Sequence, residues 1–219
     1  CGIRRCPGNI MASSDECRMS VSQWCERFFK WIKSPTPSAM LNCKIFFDLR
    51  FIEGSTTLYS QVCEELTHIS RNDLFYAAMA SDVNTNSAPI GLFNNFKTEK
   101  TEQHHKYIDL KKRGVVIIND LARLYALKVG IRRANTQERL DALLKYSLLS
   151  KEDIYNLKDC WRFLTQLRLR TQINEEGLPS NCINPDKLNS LERHQLKEAF
   201  YLVKQAQQGA AFKFSRGSL

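Results

Sequence analysis

Glycine and proline are scarce in this 219-residue chain, with 9 and 6 residues, which excludes a low-complexity or linker-like polypeptide. No apolar run approaches the ~18 residues that a membrane-spanning helix needs. The eight cysteines (Cys1, Cys6, Cys17, Cys25, Cys43, Cys63, Cys160 and Cys182) include no Cys-x-x-Cys pair. With His68, His104, His105 and His194 they form no cluster at zinc spacing. Glycine-rich phosphate loops, His-Glu-x-x-His and Gly-x-Ser-x-Gly are all missing. Gly54-Ser55 and Gly217-Ser218 are not followed by a spaced Asp-x-Asp pair. No catalytic residue and no metal ligand is therefore named from motifs. The chain opens Cys1-Gly2-Ile3-Arg4-Arg5, and no apolar run follows that could serve as a signal peptide. It reads as a piece of something longer.

What is present is globular in composition, with 43% hydrophobic and 25% charged residues. The cysteines read as reduced, core-filling thiols of a cytoplasmic protein, because a chain of this size needs no disulfide staples. The net charge is +9, and from Lys100 to Ile173 sixteen basic residues face eight acidic ones. Such a surface attracts polyanions, and it reads equally as a solvated helical face. Nucleic acid is the weaker partner, since no zinc-finger spacing or aromatic RNA-binding signature accompanies the charge.

Apolar periodicity predicts a mainly α protein, a bundle of about eight helices with a small irregular β-hairpin insertion. The first twenty residues read as loop. A helix follows over 21–32, and Thr36-Pro37 opens a second that runs to Gly54. A third, capped by Ser55 or Thr56, carries Leu58, Val62, Leu66 and Ile69, and Asn72 or Asp73 opens a fourth. Residues 96–110 suit two short strands. Helices resume with Leu121, Leu124 and Leu127, then from Asn135, which with Glu138 fits a capping box. A long helix runs from Ser150 to about Gln172, and the last from about Ser190 to Gly209.

Several polar residues stand out. Asp48 and Arg50 interrupt the aromatic run Ile45-Phe46-Phe47-Asp48-Leu49-Arg50-Phe51, and on a helix these two cannot share a face. Read as a strand, Tyr107, Asp109, Lys111 and Arg113 alternate onto one side, suited to a metal-bound triphosphate and equally to a solvated edge. Arg162, Arg168 and Arg170 lie on the long helix, and Arg193, His194 and Lys197 on the last one. If they converge, they make an anion site.

The segments CPGNIMAS, PTPSAMLNCKIFFDLRFIEG, GLFNNF, HKYIDLKKRGVVIINDLARLYAL, GIRRANTQERLDAL, FLTQLRLRTQ and SLERHQLKEAF occur in order over nearly the whole chain. Together they resemble the C-terminal part of a bacterial nucleotidyltransferase family with a substrate-binding domain, itself similar to protein-PII uridylyltransferases. In that family, cyclic-nucleotide-binding and CBS modules often precede the transferase. The resemblance implies Mg²⁺-dependent transfer of a nucleotidyl group from a nucleoside triphosphate to a hydroxyl of a protein or small molecule. The Gly-Ser…Asp-x-Asp carboxylates would come from upstream sequence, leaving this chain catalytically incomplete. Residues 1–33 would be the tail of the catalytic domain and 34–219 the helical substrate-binding domain.

By the same resemblance, Asp48 and Arg50 match a Phe-Asp-x-Arg element, and Asp109, Lys111 and Arg113 a Leu-Asp-Leu-Lys-x-Arg-Gly element. Asp120 and Arg123 match Asp-Leu-Ala-Arg, Arg168 and Arg170 match Leu-Arg-Leu-Arg, and Arg193 with Lys197 a basic pair. The expected substrate-binding set is thus Asp48, Arg50, Asp109, Lys111, Arg113, Arg123, Arg168, Arg170, Arg193 and Lys197. MASSDECRMS departs from the Asn-Pro and Trp of relatives, which bears on the junction with the catalytic domain. The competing reading is a helical protein-interaction or regulatory module that binds no nucleotide.

Overall fold

The computed structural model describes every residue except 1, 3–6, 9, 70–71, 92, 94, 103–104, 175–177 and 216–219, and omits the side chains of 68, 69 and 174. Expectations resting on Cys1, Cys6, His104 and the side chains of His68 and Ile69 lie outside the described residues.

Among the described residues, eight α-helices follow in order: α1 (Val21–Lys33), α2 (Pro37–Phe46), α3 (Thr56–Ile69), α4 (Asp73–Val83), α5 (Val116–Lys128), α6 (Thr136–Leu143), α7 (Lys151–Asn174) and α8 (Ser190–Ser215). The strands β1 (Glu99–Lys100), β2 (Lys106–Asp109) and β3 (Cys182–Ile183), all short, form an antiparallel sheet in the order β1-β2-β3. The mainly α expectation holds.

Local chemistry explains most helix starts. Thr36 accepts the Ala39 N–H, with Pro37 in the first turn, and Asn72 accepts from Leu74 and Phe75. Asn135 accepts from Gln137 and Glu138, and the Ser150 hydroxyl accepts the Asp153 N–H. Gly130, at φ 76°, supplies the left-handed residue after α5.

The core is continuous. Trp24, Phe28 and Trp31 of α1 pack on Phe46, the last residue of α2, and on Phe47 just beyond it, and Phe47 reaches Phe75 of α4. Ile117, Ile118, Leu121 and Leu124 make α5 the buried axis, against Leu140, Leu164, Phe200 and Val203. Polar ties fix the outer helices to it. Asn119 accepts from Thr136 of α6 and from the Trp161 indole of α7 at 2.9 and 2.7 Å. Gln207 of α8 accepts the Ala88 N–H and donates to the carbonyls of Val83 and Asn86.

Four expectations are corrected. The second helix ends at Phe46 rather than Gly54, because the Asp48 carboxylate is drawn into bonds with arginines of α5 and α6. Asp48 and Arg50 therefore lie beyond the helix, and no helical rotation sets them on separate faces. The strand beginning near Tyr107 stops at Asp109. There the Leu110 N–H donates to the Asn181 carbonyl, the Asp109 carboxylate accepts the Lys112 N–H, and Lys111–Val115 winds as a π-helical turn into α5. Lys111 and Arg113 thus leave the strand face. A third strand, β3, stands in what reads as a loop, paired with β2 through Ile108↔Ile183 and Asp109↔Cys182. The last helix continues past Gly209 to Ser215, since Gly209 keeps helical geometry and open space around it.

Candidate functional site

The candidate residues divide between two places. The first is an ionic lattice beneath the loop that follows α2. Arg123 grips Asp48 with both ends of its fork, Nε to Oδ1 at 2.9 Å and a terminal nitrogen to Oδ2 at 2.6 Å. Its other terminal nitrogen reaches Asp120 at 2.5 Å. Arg139 of α6 donates to the same Asp48 oxygen. Lys44 of α2 bridges Asp120, at 2.7 Å, and Asp82 of α4. Three cations thus face three carboxylates, and the lattice joins α2, α4, α5 and α6.

Protonation follows from burial and pairing. Burial pushes the Asp48 carboxyl upward, but the bonds and charges of Arg123 and Arg139 outweigh it and hold it below the usual carboxylate range. Burial likewise opposes the charge on Arg123 and Lys44, and their carboxylates overcompensate, holding both above their ordinary values. Arg139 goes the other way. Burial lowers it, the neighbouring Arg123 charge adds to that, and Asp48 restores only part. Among the described residues, its Nε and one terminal nitrogen are buried with no hydrogen-bond partner.

The second place is the outer side of the sheet and the start of α8. Arg193 and Lys197 stand over the ring of Phe96, at 5.8 and 5.7 Å from its centroid. Arg193 also reaches Asp186 at 3.2 Å, and Lys106 of β2 reaches the same carboxylate at 3.3 Å. Lys197 has no ion-pair partner among the described residues. Beside them, Arg168 of α7 donates from Nε to the Asn181 side chain at 2.5 Å, and Arg170 pairs with Glu192. Arg113 pairs with Glu99 at 3.0 Å, and Tyr107 donates to the same carboxylate at 3.1 Å. The bond from Arg113, against a smaller opposing effect of desolvation, draws the Glu99 carboxyl below its ordinary range.

No hydrogen bond or ion pair among the described residues links the two sets, so the ten candidates are not held together as one polar cluster. Asp109 caps the turn into α5 rather than pairing with Lys111 or Arg113. Lys111 and Arg50 are exposed. Arg162 pairs with Asp159 within α7, at 3.6 Å, and does not join Arg170.

Sequence reasoning passed over Arg139, Lys44 and Asp82 in the lattice, and Phe96, Lys106, Asp186 and Asn181 at the second place. Only Arg139 carried a usable signal. Thr136, Arg139, Leu140 and Leu143 repeat at i, i+3, i+4, i+7 and are all buried, so a guanidinium sits on the apolar stripe of α6.

Residues 73–214 match the family described as "Putative nucleotidyltransferase substrate binding domain", and residues 1–38 match "Putative nucleotidyltransferase DUF294". The chain belongs to this nucleotidyltransferase family. No curated protein and no solved structure is matched by it. A nucleotidyltransferase of this kind uses nucleotide and metal in general terms. The described residues of this substrate-binding domain do not fit a metal, because no three His, Cys, Asp or Glu side chains among them converge. The lattice carboxylates Asp48, Asp82 and Asp120 are each already met by a cation. Among the described residues, no helix is long and apolar enough to cross a membrane.

Proposed function

We propose that the chain is the substrate-binding portion of a signalling nucleotidyltransferase similar to the protein-PII uridylyltransferases, and that it holds a phosphorylated substrate on the cationic face over Phe96. The observation that carries this reading is the stacking of Arg193 and Lys197 on one half-buried aromatic ring, with Asp186 shared between Arg193 and Lys106. That arrangement leaves excess positive charge on a fixed base. Arg193 offers a planar fork to phosphate oxygens and Lys197 a mobile point charge. Phe96 sets the height of both through its edge-to-face contact with Phe200 in the core, at 6.4 Å.

In this reading the metal-holding carboxylates belong to a catalytic unit beyond these residues, and the transfer of a nucleotidyl group to a protein or small-molecule hydroxyl occurs there. Residues 1–33 connect to that unit, 34–219 form the substrate-binding domain, and the whole works in the bacterial cytoplasm under regulatory modules. Titration calorimetry with ATP and UTP tests the face directly. Arg193→Ala/Lys197→Ala should weaken nucleotide affinity at least ~10-fold at low salt, with the fold kept. Equal affinity in the double variant would refute the assignment.

A second reading, a protein-interaction module, is favoured by one feature. An apolar groove of about 480 Å³ is lined by Ile10, Met11, Val21, Trp24, Phe46 and Leu58, among others. Nucleotide affinity absent at every salt concentration would favour that reading over the first.

A further inference from the structure

We propose that Arg123 and Arg139 form a seat for a phosphoryl group, and that Asp48 occupies it as an internal stand-in that a phosphate-bearing ligand displaces. This goes beyond the face over Phe96, since it concerns different residues on different helices.

Three observations carry it. Arg139 is 1% exposed, yet its Nε and one terminal nitrogen have no hydrogen-bond partner among the described residues. A carboxylate placed purely as a structural clamp would satisfy the guanidinium it clamps, because leaving buried charged donors unpaired is costly. Asp48 instead takes two donors on Oδ1 and one on Oδ2. A phosphoryl group brings three terminal oxygens in a tetrahedral array, and so more acceptor positions than a planar carboxylate has.

Next, the stand-in is removable. The Asp48 side chain is 28% exposed, whereas those of its two arginine partners are at most 8%. Residues 49–52 have no regular secondary structure, with Ile52 70% exposed. The ties seen for this loop are light, a Tyr59 hydroxyl donating to the Leu49 carbonyl at 3.4 Å and the Phe51 ring beside Tyr59. Displacement therefore needs a short loop to lift, and no helix has to move.

Finally, the charge balance favours an incoming anion. Without Asp48, Lys44, Arg123 and Arg139 would face only Asp82 and Asp120. The seat would then carry one uncompensated positive charge among buried groups. Arg50, exposed on the same loop, adds attraction at the solvent side.

The test uses the full chain carrying Arg193→Ala and Lys197→Ala, so that phosphate on the other face does not report. Inorganic phosphate and ADP are compared with sodium chloride at matched ionic strength. Hydrogen exchange of the 49–55 amides should rise on adding phosphate or ADP and not on adding chloride. Asp48→Asn, nearly isosteric and uncharged, should bind phosphate at least ~10-fold more tightly than the Asp48 chain, and adding Arg139→Met should abolish that gain. Unchanged loop exchange at both saturating phosphate and saturating ADP would overturn the proposal, as would an Asp48→Asn chain without the gain for either ligand. Should Asp48→Asn fail to fold, the exchange measurement on the Asp48 chain decides alone. A response to ADP but not to phosphate would support a nucleotide's phosphoryl group as the ligand, and a response to both would support any phosphoryl group.

Discussion

Asp48 and Arg123 are 75 positions apart in the chain, yet both carboxylate oxygens of one meet the guanidinium of the other, at 2.9 and 2.6 Å. Because the pair is largely shielded from water, removing one partner leaves a charge without compensation. Arg123→Met should destabilise the fold by about 3–5 kcal/mol. Arg139→Met should cost at least ~1 kcal/mol less, because two of the Arg139 nitrogens already lack partners and their desolvation is relieved by the change. Urea unfolding of the two variants side by side measures the difference. Equal losses would show that the unpartnered nitrogens carry no penalty.

The same pair dictates an acid response. Arg123 and Arg139 hold the Asp48 carboxyl below its ordinary value despite burial. A depressed folded-state value means that the stabilisation is present above the unfolded-state value of about 4, and is lost as pH falls through the folded-state value. Stability measured by urea from pH 6 to pH 2.5 should therefore drop, and Asp48→Asn should show a shallower drop. Glu99 and Glu192 are also lowered, by Arg113 and Arg170 respectively, but they lie near the surface. At 0.5 M salt their share should fade while the share of Asp48 persists. A wild-type acid slope erased entirely by salt would contradict this.

Much of the fold is legible in the sequence, and the parts that are not have physical reasons. Thr36-Pro37, Asn72, Asn135 and Ser150 mark helix starts because each cap is a local hydrogen bond, readable from three or four residues. The end of α2 was not readable. Phe46 to Ile52 keeps a helical composition, and only the distant pull of Arg123 and Arg139 on Asp48 ends the helix. β3 escaped notice because two residues, Cys182 and Ile183, carry no period, and their pairing with Ile108 and Asp109 is decided in three dimensions. The candidate site was half legible. Asp48 and Arg123 do share a place, but the basic residues of α7 and α8 reach separate partners, which spacing along a helix cannot reveal.

Gly114 and Gly209 make a contrasting pair of test positions. A Cβ on Gly114 would lie 2.9 Å from Leu164 Cδ1 and 3.3 Å from Phe200 Cε1, both on buried side chains of α7 and α8. The glycine therefore lets the start of α5 approach those helices closely, and Gly114→Ala should cost about 1–3 kcal/mol through overpacking. Gly209 lies within α8, and apart from the helix's own backbone no described residue comes within 4 Å of its would-be Cβ. Gly209→Ala should stabilise by about 0.5–1 kcal/mol, since it narrows the unfolded ensemble and raises helix propensity. Melting temperatures should shift in opposite directions, and a shift of the same sign at both positions would refute the steric account.

Thiol chemistry offers a check on the core that is independent of charge. Burial pushes the Cys43 thiol up to about 12, and burial with the nearby charges of Asp159 and Glu198 does the same for Cys160. The thiolate is the reactive form, so both sulfurs are protected twice, by lack of access and by lack of ionisation. Cys17 and Cys63 are only half-buried. At pH 8, an aromatic disulfide reagent should label Cys17 and Cys63 in the native chain. Cys43 and Cys160 should react only at the rate of unfolding, as peptide mass mapping would resolve. Labelling of Cys43 as fast as Cys17 would mean that the α2–α4 packing around it opens far more often than its 1% exposure implies.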